Sequence, residues 1–185
     1  DSSKTVYSGR SIAEKVGIDE SIINIAEDLD LLPKEVRYSK RNTKAKAQTN
    51  KNSILLFKHF VTAVNKDKYE AMRILIHERL HQILNEQVGN RKQEYVNEIL
   101  DIYNEAKLAI KSNPDKYGHL ISAFDTILNP DIYFNYLDKS AQDYWNNRSK
   151  EERDSLFAEE FLVESLTQRS LIDALNEIKS TSDKA

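Results

Sequence analysis

The sequence predicts a mainly helical chain with a small β-sheet near its front, an α+β arrangement. Three observations lead there. Four Gly and three Pro among 185 residues leave few interruptions to long helices. Apolar residues recur at helical spacing through most of the chain, and strand-like patterning is confined to the stretch between Val36 and Phe57.

Taken in order, Ser11 to Leu31 places Ile12, Val16, Ile22, Ile23, Ile25, Ala26 and Leu29 at helical intervals, with Gly17 dividing two short helices and Pro33 stopping the second. Val36 to Tyr38 reads as a short strand. Lys44 to Phe57 reads as a hairpin, with a turn at Thr49-Asn50-Lys51-Asn52 before the apolar run Ile54-Leu55-Leu56-Phe57. Asp67 with Glu70 reads as a capping box opening a helix that ends near Gly89, and Tyr95 to Ile110 forms a second long helix. Pro114 and Pro130 break the aromatic-rich stretch from Asn113 to Asn147 into short helices and loops. Ser149 with Glu152 opens a helix to about Thr167, and Leu171 to Ile178 is a short final helix before a polar tail. The organisation expected is a helical segment over 1–31, a main domain over 32–179 and a tail over 180–185.

The composition narrows the chemistry. Hydrophobic residues at 39% and charged residues at 31% describe a soluble globular chain. A net charge of −3 gives no concentrated positive face for nucleic acid. The basic run from Lys34 to Lys51 reads as a solvated loop and edge strand. No apolar run approaches a membrane span. Without cysteine, a metal site must use His and carboxylate ligands. The start at Asp1 is compatible with a processed product or an excised domain, and the compartment stays open, virion and cytoplasm both being compatible.

The densest chemistry lies in His77-Glu78-Arg79-Leu80-His81, an H-E-x-x-H. Residues four apart stack on one helix face, so the two imidazoles converge on one ion, and zinc suits them best. Glu78, at the edge of that face, is placed to take a proton from a water that the ion acidifies. The stripe Ile74, His77, His81, Leu84, Val88 is otherwise apolar, and a buried imidazole needs a partner. Arg79 is unusual for such a helix, where the two positions between Glu and the second His are commonly uncharged. A catalytic zinc takes a third protein ligand. His59 and His119 are minor candidates. Glu160 is the best, because it shares a helix face with Leu156, Phe157, Val163 and Glu164, whereas Glu159 lies with Glu152 and Ser155 on a face read as solvated. Glu164, one turn on, is placed to orient a ligand imidazole.

Together, H-E-x-x-H and a Glu on a later helix resemble the Glu-zincin superfamily. The sequence most resembles the metallopeptidase domains of large polyvalent proteins of phages and mobile elements. The matching stretches are Ile74 to His81, Asp115-Lys116-Tyr117-Gly118 and Glu160-Phe161-Leu162-Val163-Glu164-Ser165-Leu166. The last is also similar to the anthrax lethal factor catalytic domain and the clostridial Pro-Pro endopeptidases. The resemblance spans roughly Leu32 to Ile178. It implies a zincin-like fold, His77, His81 and Glu160 as zinc ligands and Glu78 as general base. It also implies a Tyr supporting the oxyanion seven residues before the ligand Glu. That position holds Arg153 here, which leaves Tyr117 as the displaced equivalent, with Tyr133, Tyr136 and Tyr144 as rivals. The hairpin at Asn52 to Leu56 is similar to the edge strand that lines the substrate cleft in such enzymes.

Three functions follow as expectations. The first is a zinc endopeptidase acting on a peptide or protein, its own parent phage polyprotein included, docked beside the strand at 54–57. The second is an inactive zincin-fold binding or assembly module. The third is a helical interaction domain in which H-E-x-x-H is a coincidence.

Overall fold

The computed structural model describes residues 5–50, 52–88, 92–120 and 139–182. The fold is mainly helical with one three-stranded mixed sheet, as the patterning predicts. The chain divides into two compact units, Asp1–Glu86 and Gln87–Ala185.

The first unit opens with α1 (Gly9–Val16) and α2 (Glu20–Asp28). Gly17 separates them with φ +87°, a left-handed conformation that closes α1 and that a Cβ would strain. Helix α2 ends at Asp28, before Pro33, because Asp30 adopts φ +57° and turns the chain away. Strands β1 (Val36–Tyr38), β2 (Ala47–Thr49) and β3 (Ile54–Leu56) follow. Helices α3 (Lys58–Lys66) and α4 (Tyr69–Val88) complete the unit. Its core joins every layer: Ile12 and Ile23 from the first two helices, Val36, Ile54 and Leu56 from the sheet, Phe60 from α3, and Leu75 from α4. The N-terminal helices therefore bury their apolar faces in the same core as the sheet.

The sheet order corrects one expectation. Strand β3 lies in the centre, parallel to β1 on one side and antiparallel to β2 on the other, with Ala47 opposite Leu56 and Thr49 opposite Ile54. The apolar run at 54–57 therefore does not offer a free edge to a peptide. An unbroken apolar run is what a strand flanked on both sides requires. The polar strand β2 is an edge, and among the described residues it has no strand partner beyond β3. The other edge, β1, is partly occupied by a bridge from Tyr7 to Val36.

In the second unit, α5 (Lys92–Ser112), α6 (Pro114–Tyr117) and a 3-10 turn at Gly118–Leu120 precede α7 (Lys139–Asn146), α8 (Lys150–Thr167) and α9 (Arg169–Ser182). The last helix is longer at both ends than Leu171 to Ile178. Its core packs Tyr103 of α5 edge-on against Phe157 and Phe161 of α8, at 5.1 and 5.5 Å, with Leu171 and Ala174 buried beside them. No described helix is long and apolar enough to cross a membrane.

Both expected capping boxes form in half. The Ser149 hydroxyl accepts from the Glu152 amide at 3.2 Å, and the Asp67 carboxylate accepts from the Tyr69 amide at 3.0 Å. The glutamates do not reach back. Glu70 instead accepts from Arg73 Nε and Nη2 at 3.0 and 2.9 Å and lies 3.6 Å from Lys46 Nζ. The Arg73 hydrogen bonds hold the Glu70 carboxyl below its ordinary pKa, against burial, which raises it.

Two stability tests follow. An alanine Cβ at Gly9 would meet Pro33 Cδ and O at 2.7 and 2.8 Å, so Gly9→Ala should cost about 1–3 kcal/mol in urea unfolding. For Glu70, a depressed folded pKa contributes stability above the unfolded pKa that is lost as pH falls through the folded one. Glu70→Gln should therefore cost about 0.5 kcal/mol at pH 7, and its Tm deficit should close as the pH drops below the ordinary glutamate value.

Candidate metal centre

Helix α4 contains neither Gly nor Pro over its 20 residues, so its backbone runs unbroken through the H-E-x-x-H. Its first half is anchored by Ala71, Met72, Ile74 and Leu75, all buried in the core. One turn beyond Ile74 comes His77, and one further turn brings His81. The rings meet edge-on with centroids 4.9 Å apart, and the two Nε2 atoms are 3.2 Å apart. Two nitrogens bound tetrahedrally at about 2.05 Å from zinc would stand roughly 3.3 Å apart. The spacing of the pair is therefore compatible with one shared zinc ion. Both rings are partly buried, His77 with 12% of its side chain exposed.

Glu78 is buried at 8%. Its Oε1 lies 3.9 Å from His77 Nε2, so one carboxylate oxygen faces the imidazole pair. Its Oε2 accepts a hydrogen bond from the Thr49 hydroxyl at the end of β2, which also lies 3.1 Å from the Glu78 carbonyl oxygen. The next residues tie the same helix to the rest of its unit. Arg79 Nη2 donates to Asp30 Oδ2 at 2.8 Å, its Nε donates to the Asp30 carbonyl at 3.1 Å, and its Nη1 donates to Gln82 Oε1 at 3.3 Å. Gln82, itself buried, donates to the Asn50 carbonyl at 3.4 Å in the β2–β3 turn. The unusual charge at Arg79 is thus matched by a carboxylate of the N-terminal segment.

The remaining sequence candidates sit as follows. Glu160 lies on α8 in the second unit, partly buried, with Phe161, Val163 and Glu164 buried beside it on the helix. Glu159 is partly buried too, and Leu156 is 37% exposed, so the predicted division into an apolar and a solvated face is less sharp than the pattern suggests. Arg153 is partly buried, with its Nε shielded and without a hydrogen-bond partner. The Tyr117 ring is buried in the core of the second unit, with Lys116 Nζ 5.4 Å from its centre. Tyr144 is exposed beneath the Arg148 guanidinium at 3.9 Å. Tyr133 and Tyr136 lie outside the described residues. His59 is exposed on α3, lining an open cleft of about 410 Å³ with Lys44, Lys46 and Lys66. His119 pairs with Glu177 at 3.1 Å on the surface of the second unit.

Sequence reasoning missed Thr49, Gln82 and Asp30. Each acts through a contact that joins separate elements, Thr49 reaching Glu78 across 29 positions and Asp30 reaching Arg79 across 49. No local spacing carries such pairs. A scan against protein-family models, a search of curated proteins and a search of solved structures each found no match.

The Arg79 clasp predicts its own signature. Arg79→Ala should cost about 1 kcal/mol and speed amide hydrogen exchange at 29–31, where Asp30 loses its partner. Arg79→Lys should recover only part of this, because an ammonium cannot serve the Asp30 carboxylate and carbonyl with a planar fork.

Proposed function

We propose that this chain is a zinc-dependent endopeptidase with a zincin-like fold, in which His77 and His81 hold the ion, Glu160 is the third ligand that the sequence resemblance implies and Glu78 is the general base. The observation that carries the reading is the imidazole pair: two partly buried Nε2 atoms 3.2 Å apart, with a buried carboxylate oxygen 3.9 Å from one of them. The donor set of two imidazoles and a carboxylate suits zinc. When bound, the ion supplies an acidified water and a Lewis acid for a peptide carbonyl. His77 and His81 fix its position from one rigid helix. Glu78 Oε1 takes the proton of the attacking water and passes it to the departing amine. Glu164 orients a ligand imidazole. An extended peptide docks antiparallel or parallel to the edge of β2 that no described strand occupies, its main chain pairing with the strand, which brings a peptide bond to the helix that Thr49 touches. The substrate is a protein segment that can become extended, its own parent polyprotein among the candidates.

A second reading has one observation in its favour. Two neutral imidazoles 3.2 Å apart can also satisfy each other by a single N–H···N hydrogen bond, which would suit a non-catalytic binding module.

Metal analysis of the purified protein separates the two. The peptidase reading expects about one zinc per chain. His81→Ala and Glu160→Ala should lose it, and Glu78→Gln should keep it while cleavage of a mixed peptide library falls at least about 100-fold. A folded protein that takes up no supplied zinc would instead select the binding module.

A further inference from the structure

We infer that Thr49 is a positioning residue for the base: its hydroxyl fixes the Glu78 carboxylate and couples the edge strand to the residue that moves the proton. The inference rests on the peptidase reading above.

The two oxygens of the Glu78 carboxylate have different neighbours. Oε2 accepts from Thr49 Oγ1, while Oε1 faces His77 Nε2 at 3.9 Å. A hydroxyl has one proton to give, and a carboxylate is the stronger acceptor of the two groups it touches, the other being the Glu78 carbonyl at 3.1 Å. A glutamate side chain has three rotatable bonds, so burial alone leaves several rotamers open. A hydrogen bond on one oxygen selects the rotamer that turns the other oxygen toward the imidazoles. Thr49 is itself held firmly. It ends β2 and pairs with Ile54, whose side chain is fully buried. Ala47 and Ile54 belong to the same core as α4, so the face of β2 that carries Thr49 looks toward the helix. A peptide added to β2 would pair with the main chain beside that side chain. Docking and base alignment are thereby linked through one residue.

Thr49→Val keeps the branched shape and removes the hydroxyl, and Thr49→Ser keeps the hydroxyl and removes the methyl. With zinc-loaded protein and a mixed-sequence peptide library read by mass spectrometry, followed by kinetics on a cleaved sequence, Thr49→Val should lower kcat on the order of tenfold to a hundredfold with KM little changed. Thr49→Ser should restore most of the rate, and zinc content should be equal in all three. A second readout needs neither metal nor substrate. In a double-mutant cycle, the Tm loss from Thr49→Val should shrink by more than half when Glu78 is already Ala. Wild-type kcat in Thr49→Val, or a Tm loss independent of Glu78, in a protein that binds zinc and cleaves, overturns the role of Thr49 alone. A protein that shows the coupled Tm loss yet neither binds zinc nor cleaves any library peptide overturns the peptidase reading, and the base-positioning role with it.

Discussion

The site depends on one constraint: a single helix must bury its first half in a core and then present two imidazoles on the same face. Leu75 and Ala71 are fully buried, so α4 cannot rotate without exposing them. That fixes the direction of His77 and His81 and leaves their Nε2 atoms 3.2 Å apart. Two partly buried nitrogens at that distance cannot both carry protons, since two N–H groups would point at each other. One proton shared between them satisfies both nitrogens. The buried carboxylate of Glu78 lies 3.9 Å from His77 Nε2 and accepts from the Thr49 hydroxyl, so its negative charge is met by polar groups on both sides.

How much of this was legible in the sequence depends on the range of the interactions. The mixed helical class, the hairpin, the long helix with its paired histidines and the Ser149 cap all rest on contacts within a few residues, and the pattern carried them. The sheet order did not show. Pairing of β1 with β3 is parallel and spans the loop after β1, all of β2 and the β2–β3 turn, and only the unbroken apolar run at Ile54-Leu55-Leu56 hinted that the strand is central. Helix α2 ends earlier than the visible breaker Pro33 suggests, because a left-handed Asp30, which no pattern marks, closes it. At the site, helical spacing brought His77, Glu78 and His81 together, but nothing local marked Thr49 or Gln82, whose partners come from other elements.

The N-terminal segment, which matched no motif, proves to be built into the unit that carries the histidines. Ile12, Ala13 and Ile23 are fully buried with the sheet and α4. Arg10 adds a polar tie between the first two helices, donating to Glu14, Asn24 and Glu27 at 2.8, 2.9 and 3.1 Å. These exposed contacts contribute little individually, and the buried faces supply most of the docking.

That arrangement also accounts for the charged residue inside the motif. Successive residues on a helix point about 100° apart. Glu78 and Arg79 therefore address different neighbours: the glutamate turns to Thr49 on the sheet, and the arginine turns to Asp30 on the N-terminal segment. With its guanidinium spread over the Asp30 carboxylate, the Asp30 carbonyl and Gln82, the positive charge is taken up on the side of α4 away from the imidazoles. The spacing H-E-x-x-H constrains only the residues on the face that carries the two imidazoles. The two positions between are set by whatever packs against the other sides of the helix, and here one of those neighbours is an aspartate, so an arginine fits where an uncharged residue is usual.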